Sequence, residues 1–533
     1  MYKIITGKKY LNIPVTEFGD KSTFSLYTND ECAYTFCAKL TCGVPDYWVA
    51  VDLARFNGLD LALNVDNFSG DGDPYSVLRF TDTRLGAERI DREDLRPRYH
   101  FSAVGGWLND PNGLMYYKGT YFLFCQLNPF YQWCDNMHWT LAKSNDLVHW
   151  EDVGLVLYPD KTGQKFSGSG VVDKENVSGL KDGEEDPLLL FYTAQNGFTQ
   201  DLAYSTDGGN TWKIYENNPV VPHLKGANRD PKVIQKADGS GWWMALYLDG
   251  NDYVLLESVD LLHWEQCCTL NTPGCLECPD IYEICLDGDM NKPYMVFSCA
   301  GGEYLIGRME DGKFISETLP QRCYEGKDVY APQSFYGVED GRRIQVICSS
   351  NEAMLPGEAF GKFLTLPCEL KLRSVPGGMK LFNHPVVELE CLKENKLVFE
   401  GEIQLQKDNC FRLNQPKTGL FCVQFIVDKD FCGKLNLQFY NLSYEYDGVE
   451  HKITCKEKSA TFTPRENDIQ FEVWVDRCSA ELFVDEGQIY WPAVKPLDHS
   501  LAPISICASE ATVLRECKIA KLNSLLPWKR THL

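Results

Sequence analysis

Short apolar runs bounded by turn residues recur along the whole chain, whereas the spacing typical of amphipathic helices is rare. In the middle of the chain such a run occurs five times, at intervals of roughly 50 to 70 residues, close to the period of propeller repeats. The five runs occupy residues 121–125, 188–193, 242–248, 294–299 and 343–348. Strand-rich repeats of this length predict a β-propeller, and five copies predict five blades.

Two further series follow the same period. A Ser-x-Asp sequence followed by tryptophan ends at Trp150, Trp212 and Trp264. A polar or small segment precedes each apolar run, and most of these segments contain proline, which is tolerated where a strand begins. These segments are residues 110–111, 166–169, 230–231, 277–279 and 331–332. The alternative is a long β-sandwich with accidental spacing, and the agreement of three series favours the propeller.

The two ends of the chain have a different pattern. Alternating strands near the start, such as residues 59–65, predict a small antiparallel β-module. Ser-Val-Pro-Gly-Gly at 374–378 opens a predicted linker, and period-two strands beyond it, such as 469–473, predict a β-sandwich. The predicted fold class is all-β. The predicted domains are an N-terminal β-module at 1–94, a five-bladed propeller at 95–373, a linker at 374–392 and a C-terminal β-sandwich at 393–533.

Composition narrows the possible partners. The chain has 533 residues, of which 44% are hydrophobic, and a formal net charge of −23 at pH 7. This apolar fraction supports a sizeable core, and the acidic balance disfavours nucleic acid as a partner. No apolar run approaches the ~20 residues that span a bilayer, and the first residues lack the apolar stretch of a signal peptide. We therefore expect no nucleic-acid or membrane partner and a cytoplasmic location.

The 22 cysteines are scattered along the chain, and several lie inside apolar runs. With no export signal, we expect reduced thiols that pack as small hydrophobic side chains. The spacing of Cys275 and Cys278, with Cys267, Cys268 and Cys285 nearby, leaves a zinc site as an alternative. We expect no metal, because Cys278 also belongs to a segment with another role, described below.

The repeat predicts three carboxylates at equivalent places. Asp110, Asp230 and Glu277 each lie at or just before the start of a strand that would line the channel of a propeller. A single Asp-Pro sequence most often forms a turn, but three such positions in phase would converge on one pocket. Converging carboxylates are the groups that hydrolyse glycosidic bonds, because one must donate a proton and another must be ionised.

Several segments, taken together, resemble glycoside hydrolase family 32. Trp-Leu-Asn-Asp-Pro-Asn-Gly resembles the family's first signature, and the later signatures follow in the expected order. The matching segments are residues 107–113, 166–169, 229–231, 277–280, 328–333, 364–370 and 475–487. The resemblance runs from about residue 97 towards the C-terminus, and an extra N-terminal module also precedes some levanase-like members.

The resemblance implies a retaining, exo-acting β-fructofuranosidase that removes terminal fructose from sucrose, fructo-oligosaccharides or levan-type fructans. It implies that Asp110 is the nucleophile, that Glu277 is general acid and then base, and that Asp230 stabilises the transition state. The substrate is a small carbohydrate, and no cofactor is implied. The residues implied to contact the terminal fructose are Trp107, Asn109, Gln126, Trp133, Phe166, Ser167 and Arg229.

The chain departs from the family pattern at the pocket rim. Cys348-Ser-Ser-Asn351 stands where relatives have an aromatic-rich segment, and Leu276 stands where tryptophan is frequent. Substrate length, linkage and endo or exo action are therefore open, and the sequence does not predict the oligomeric state. Two alternatives remain: the five-bladed arabinanase-like enzymes, which usually invert, and a fructan-binding protein with weak or no catalysis. The intact carboxylates argue against the second.

Overall fold

Almost every regular element of the protein is a β-strand. The computed structural model describes residues 2–4, 7–353, 355, 357–414, 419–466 and 468–530. Within these ranges the helices are short 3-10 turns, and no helix is long or apolar enough to cross a bilayer. The turns are Ala54–Phe56, Ala87–Arg92, Glu339–Gly341, Asn351–Ala353 and Val387–Leu392. The predicted all-β class is confirmed.

The first strands form two antiparallel sheets, ordered β1-β6-β3-β4 and β5-β2-β7, that pack on each other. Their shared core extends to Phe130 and Tyr131, so this module is joined to the rest of the protein by apolar contacts. The strands are β1 (Tyr2–Ile4), β2 (Tyr10–Val15), β3 (Ser22–Thr28), β4 (Glu31–Ala38), β5 (Tyr47–Asp52), β6 (Leu61–Asp66) and β7 (Arg79–Thr81).

Five antiparallel sheets follow, each built from consecutive strands. Their strands are β8 (Trp107–Tyr117), β9 (Thr120–Asn128), β10 (His138–Ser144) and β11 (Glu151–Leu157); β12 (Lys165–Val172), β13 (Leu188–Ala194), β14 (Thr199–Ser205) and β15 (Lys213–Ile214); β16 (Arg229–Gln235), β17 (Trp242–Asp249), β18 (Asp252–Ser258) and β19 (Glu265–Asn271); β20 (Asp280–Cys285), β21 (Pro293–Ser298), β22 (Glu303–Glu310), β23 (Lys313–Ser316) and β24 (Gln321–Arg322); and β25 (Val329–Ser334), β26 (Arg343–Ser349), β27 (Cys368–Val375) and β28 (Gly378–Pro385).

The first strands of the five sheets form a ring. β8, β12, β16, β20 and β25 contact one another in this order, and β25 returns to contact β8. Each of the five apolar runs in the sequence falls mainly in the second strand of a sheet, where it is buried on both faces. The polar segments with proline therefore belong to the ring itself, which is where the repeat predicted them.

The Ser-x-Asp sequences form turns that follow the third strand of each of the first three sheets. In the first turn Asp146 accepts hydrogen bonds from the backbone N–H groups of Val148 and His149, at 3.0 and 2.8 Å. Asp207 and Asp260 make equivalent bonds in the next two sheets. This repeated segment is therefore structural and has no direct part in the chemistry.

The predicted linker at 374–392 is wrong in its first half. Strand β28 pairs with β27 and completes the fifth sheet. The Pro-Gly-Gly sequence is the tight turn of this hairpin, because Gly377 and Gly378 adopt the positive φ angles 92° and 152° that favour glycine. Turn residues in a linker and in a hairpin are alike in sequence, and only the pairing of the two strands distinguishes them.

The last part of the chain is a β-sandwich of two six-stranded sheets with a continuous apolar core. The sheets are ordered β29-β40-β31-β36-β37-β38 and β30-β39-β32-β33-β34-β35, and β41 returns to pair with β11. The strands are β29 (Phe399–Leu405), β30 (Asn409–Leu413), β31 (Phe421–Asp428), β32 (Lys434–Phe439), β33 (Leu442–Asp447), β34 (Lys452–Cys455), β35 (Lys458–Thr461), β36 (Asp468–Asp476), β37 (Ser479–Val484), β38 (Ile489–Val494), β39 (Ile504–Ala508), β40 (Thr512–Lys521) and β41 (Lys529–Arg530).

One pair of cysteines corrects the expectation of reduced thiols. Cys410 on β30 and Cys507 on β39 lie directly opposite each other and form a disulfide bond. The other cysteines carry free thiols. The two partners are 97 residues apart in sequence, so their pairing depends on the register of two strands and was not visible in the cysteine spacing.

Candidate active site

Backbone irregularities at the start of the ring strands place the predicted site residues. The register of β8 against β9 shifts around Asp110, that of β12 against β13 around Ser167, and that of β16 against β17 around Asp230. Such bulges turn a side chain out of the regular alternation of a strand. Asp230 has φ 66°, and Glu277, just before β20, has φ 34°. These conformations are strained for residues with a Cβ atom and persist only where the surrounding structure holds them.

The three predicted carboxylates share one pocket at the end of the ring, with a volume of about 660 Å³. Asp110 and Asp230 are buried, whereas the side chain of Glu277 is 30% exposed. The pocket thus has two buried carboxylates below a third that reaches towards solvent. Its other lining residues include Trp107, Asn109, Gln126, Cys134, Met137, Phe166, Ser167, Arg229, Tyr330, Asn351 and Lys362.

The carboxylate of Asp110 is held by one of its oxygens. Oδ2 accepts hydrogen bonds from the hydroxyl of Ser167 at 2.6 Å and from the thiol of Cys278 at 3.3 Å. Oδ1 has no hydrogen-bond partner among the described residues. Burial and the nearby charge of Glu277 raise the pKa of Asp110. The orientation of the group is fixed, and one oxygen remains available to another reactant.

Asp230 is the carboxyl group whose proton affinity is most clearly altered in the pocket. Its Oδ2 accepts a hydrogen bond from the backbone N–H of Cys278 at 3.0 Å, and its own N–H donates to Thr193. Burial and the charge of Glu277 raise the pKa of Asp230 to about 7, and Arg229 opposes this shift. The cluster therefore keeps a proton at pH values at which isolated carboxylates would be fully ionised.

Both oxygens of Glu277 have polar partners. Arg229 donates to Oε2 from Nε and Nη2, at 3.1 and 2.8 Å, and the hydroxyl of Tyr330 donates to Oε1 at 2.6 Å. The guanidinium of Arg229 also lies over the ring of Tyr247 at 4.6 Å. This planar, two-point contact orients the carboxylate of Glu277 towards the pocket.

A buried lysine occupies the opposite side of the pocket. Lys362 donates to Oδ1 of Asn109 at 2.8 Å and to Oδ1 of Asn351 at 3.3 Å, and it lies over the ring of Trp107. Asn109 in turn donates to Gln126 at 2.9 Å. The positive charge of Lys362 lowers the pKa of Asp110 and partly offsets the effect of burial. These amide groups are positioned to bind hydroxyl groups.

Most of the residues predicted from the sequence lie together in this pocket, and Trp133 is the exception. Its side chain is 55% exposed and does not line the cavity, which is bordered instead by the next residue, Cys134. Trp133 was predicted only from its place in a family pattern. Its backbone C=O accepts a hydrogen bond from the buried Asn128 at 2.8 Å, and this contact holds the main chain of Trp133 beside the end of β9.

The polar residues that the structure adds to the site include Tyr330, Asn351 and Lys362, which sequence reasoning missed as members of it. Tyr330 precedes the Ala-Pro pair of the fifth repeat, so the repeat itself carried a signal for it. Asn351 lies in the segment noted only as a departure from the family pattern. Lys362 lies in a loop outside every repeat, and only its burial against Trp107 identifies it.

No metal or cofactor is implied by these residues. Within the described part of the chain no group of three or more His, Cys, Asp or Glu side chains is arranged to hold a metal ion. Cys278 contacts Asp110 and Asp230, while Cys275 packs in an apolar cluster with Cys299. Cys267 and Cys268 pack against the same apolar cluster as Cys275, whereas Cys278 faces the carboxylates and Cys285 lies near Met290.

Comparison with known families gives a match over the middle of the chain. The model described as the glycosyl hydrolases family 32 N-terminal domain matches residues 100–385. This segment covers the five sheets and all three carboxylates, and it makes up more than half of the chain.

Comparison with individual proteins agrees with this match. The chain is 31% identical to a levanase of Bacillus subtilis (strain 168) over 445 residues, which cover 74% of this chain and 65% of the relative. It is 33% identical to an invertase of Schizosaccharomyces pombe over 311 residues, covering 53% of this chain and 54% of the relative. The chain thus spans less than two thirds of the length of either relative.

A solved structure extends the similarity to the fold. The exo-inulinase from Aspergillus awamori superposes with a TM-score of 0.74 at 22% sequence identity, covering 81% of this chain and 99% of that chain. At this identity the likeness concerns the fold alone.

Proposed function

Since the chain belongs to glycoside hydrolase family 32, we propose that it is a retaining, exo-acting β-fructofuranosidase that acts on sucrose and short fructo-oligosaccharides. The observation that carries this proposal is the convergence of Asp110, Asp230 and Glu277 on one pocket. We interpret the five sheets as the five blades of one propeller, with the pocket at the end of its channel.

In the first step Asp110 attacks the anomeric carbon of the terminal fructose. A bond forms between this carbon and a carboxylate oxygen, and the bond from the same carbon to the leaving oxygen breaks. Oδ1 of Asp110 is suited to this attack, because Ser167 and Cys278 hold only the other oxygen. Burial and Glu277 raise the pKa of Asp110, and the charge of Lys362 opposes this shift, which favours the ionised form needed for attack.

Glu277 supplies the proton for the leaving oxygen and later removes one from the attacking water. It is the most exposed of the three carboxylates, so it lies where the rest of the substrate would leave. In the free pocket its charge is balanced by Arg229. A fructose unit whose hydroxyl groups engage Arg229 would compete with this pair and leave Glu277 free to contact the leaving oxygen.

We propose that Asp230 accepts hydrogen bonds from hydroxyl groups of the bound fructose. It is buried and held by the backbone of Cys278, so it can accept hydrogen bonds that strengthen as positive charge develops on the sugar. Asn109, Gln126, Phe166 and Arg229 surround the same space. Because Asp110 and Asp230 lie at the buried end of the pocket, only a chain terminus would reach them, and this favours exo action.

The proposal is tested by incubating the protein with sucrose, 1-kestose, inulin and levan and resolving the products by chromatography. We expect free fructose from the first minutes with the short substrates, and a loss of kcat/KM by about four orders of magnitude or more for Asp110→Asn. The variant should keep the wild-type melting profile. Absence of hydrolysis by the wild type, or near-normal activity of the variant, would contradict the proposal, and mid-sized oligosaccharides as first products would indicate endo action.

A further inference from the structure

A cavity larger than the active-site pocket lies elsewhere in the protein. It has a volume of about 780 Å³ and lies between the N-terminal module and the first sheet of the ring. The module contributes Phe18, Tyr47, Trp48 and Arg84, and the sheet contributes residues 152–155. We call this space the junction cavity. Its volume falls within the range of ~300–1,000 Å³ usual for ligand sites.

The junction cavity is separated from the active site by a single strand. Leu127 of β9 lines the junction cavity, whereas the preceding residue, Gln126, lines the active-site pocket. Successive side chains of a strand point to opposite faces, so the two spaces lie on either side of this strand. The junction cavity is therefore a separate site that no part of the proposed reaction uses.

Aromatic side chains border the mouth and wall of the junction cavity. Phe18, at the rim, is 92% exposed, which is unusual for a phenyl ring. Trp48 and Tyr47 are half-buried on β5 and also line the cavity. Aromatic faces exposed on one side of a concave surface can pack against the C–H faces of a sugar ring.

Some residues that line the junction cavity carry polar atoms without a hydrogen-bond partner in the described part of the chain. Nε of Arg84 and the hydroxyl of Tyr47 have no hydrogen-bond partner among the residues that the structure describes. The guanidinium of Arg84 lies over the ring of Tyr10 at 5.7 Å. Asp52 also lines the cavity, so residues that carry hydrogen-bond donors and residues that carry acceptors both border it. A ligand with hydroxyl groups, each both donor and acceptor, matches such a wall.

The charge of the lining argues against an anionic ligand. Carboxylates outnumber arginines around the cavity, and several of them have partners within the protein. Asp46 accepts hydrogen bonds from Thr16 and from the backbone of Glu17, and Glu93 pairs with Arg96. The remaining chemistry is that of aromatic faces and isolated hydrogen-bonding groups, which suits a neutral ligand.

We propose that the junction cavity is a second binding site, specific for a neutral oligosaccharide. It would hold one part of a glycan on the far side of the strand that carries Gln126. The lining residues alone support a neutral sugar, while the choice of a fructo-oligosaccharide as probe rests on the proposed function.

The test is calorimetric titration of the full-length Asp110→Asn protein with nystose. Asp110→Asn prevents turnover, so binding is read without hydrolysis. We expect two sites per chain. Phe18→Ala should weaken one of them by about tenfold, since an exposed ring covered by a sugar contributes roughly as much as an aromatic pair, and Arg84→Met should remove the same site. Val44→Ala is the matched control, because Val44 is 93% exposed on the same module and does not line the cavity.

Phe18→Ala alters only an exposed side chain, so the fold should be unchanged. When Phe18→Ala is the only substitution and Asp110 is intact, the rate of sucrose hydrolysis should stay within twofold of wild type. Titrations that neither Phe18→Ala nor Arg84→Met alters would overturn the second site. Failure of the proposed function would be seen in a different experiment, because the wild type would then not hydrolyse nystose, whatever the titrations show.

Discussion

At the scale of single residues, Glu277 has two proposed roles, because its carboxyl group is to act first as general acid and then as general base. Replacement by glutamine keeps the shape of the side chain and one acceptor oxygen for Arg229 or Tyr330, but removes the charge and the transferable proton. We expect kcat/KM on sucrose to fall by about 10²–10⁴-fold, the usual size of a general acid–base contribution.

A fructoside with a good leaving group separates the two roles of Glu277. Such a substrate needs no proton in the first step, so Glu277→Gln should lose less activity on it, and azide should accelerate the second step by replacing the activated water. Tyr330→Phe is the control, since it removes one contact of Glu277 but leaves the carboxyl group. Equal losses of activity on good and poor leaving groups would count against this assignment.

The buried charge of Asp230 gives a prediction about stability. Its pKa is raised from the ordinary value near 3.8 to about 7 by burial and by Glu277. Between pH ~4 and ~7 the folded protein therefore holds a proton that the unfolded chain has released, and its stability falls as the pH rises through this window. Asp230→Asn removes this cost and should raise Tm by about 1–2 °C above wild type at pH 8, with little difference near pH 4.

Thermal unfolding of both proteins across this pH range is the measurement. Asp238→Asn serves as control, because Asp238 is exposed and its pKa is lowered by the backbone N–H of Ser240, so its loss should bring no gain in stability. A lower Tm of Asp230→Asn at pH 8 would mean that the carboxylate of Asp230 stabilises the fold.

The position of a site residue relative to the sequence repeat determined whether it could be predicted from the sequence. Asp110 and Asp230 stand at the same phase of a repeat, and each precedes a proline, so their convergence was visible without coordinates. Lys362 was not visible, because it reaches the pocket from a loop that belongs to no repeat. Trp133 does not line the pocket, and its contact with fructose stays a prediction, because a family pattern fixes the position of a residue but not the direction of its side chain.

At the scale of elements, the contact between the ring and the sandwich depends on a buried histidine. His100, just before β8, bonds Asp476 at the end of β36 through Nδ1 and Glu481 on β37 through Nε2, each at 2.8 Å. Burial alone would lower the pKa of His100, but the two carboxylates outweigh it and raise the pKa to about 9. A charged imidazolium thus joins the two domains.

Replacing His100 by leucine leaves two buried carboxylates without their cation. We expect a loss of about 3–5 kcal/mol in the free energy of unfolding. In the wild type the stabilisation by His100 should be complete below pH ~6.5 and should be lost as the pH rises through 9, because the folded protein then releases the proton. Chemical unfolding from pH 6 to 10 measures both effects.

The exposed His263 provides the control for this experiment. It bonds Asp260 at the surface, and His263→Gln should change stability little. If His100→Leu unfolded at the same denaturant concentration as the wild type at pH 6, the charged link between the domains would be refuted.

The elements also show where sequence patterns stop being informative. Apolar runs predicted the second strand of each sheet, because a strand buried on both faces is continuously apolar. The Pro-Gly-Gly turn of the fifth sheet was assigned to a linker, and the disulfide between Cys410 and Cys507 was not anticipated. Both depend on which strand pairs with which, and this is decided by the whole fold.

At the scale of the whole molecule, we infer that the pocket at the end of the ring limits the length of the substrate. Cys348-Ser-Ser-Asn351 stands where the family pattern leads us to expect aromatic residues, so we infer fewer stacking platforms for further sugar units. We expect kcat/KM to be higher for sucrose and 1-kestose than for inulin or levan, measured per chain terminus. A clear preference for polymer would contradict this prediction, and the expected cytoplasmic location stays a prediction beside it.

The central claim is that hydrolysis proceeds through a covalent fructosyl intermediate on Asp110. The stereochemistry of transfer tests it most directly, because an acceptor that attacks such an intermediate restores the original anomeric configuration, whereas a single displacement inverts it. The measurement is NMR of the methyl fructoside formed from sucrose in the presence of methanol. We predict the methyl β-D-fructofuranoside, and the α anomer as the initial product would contradict the account.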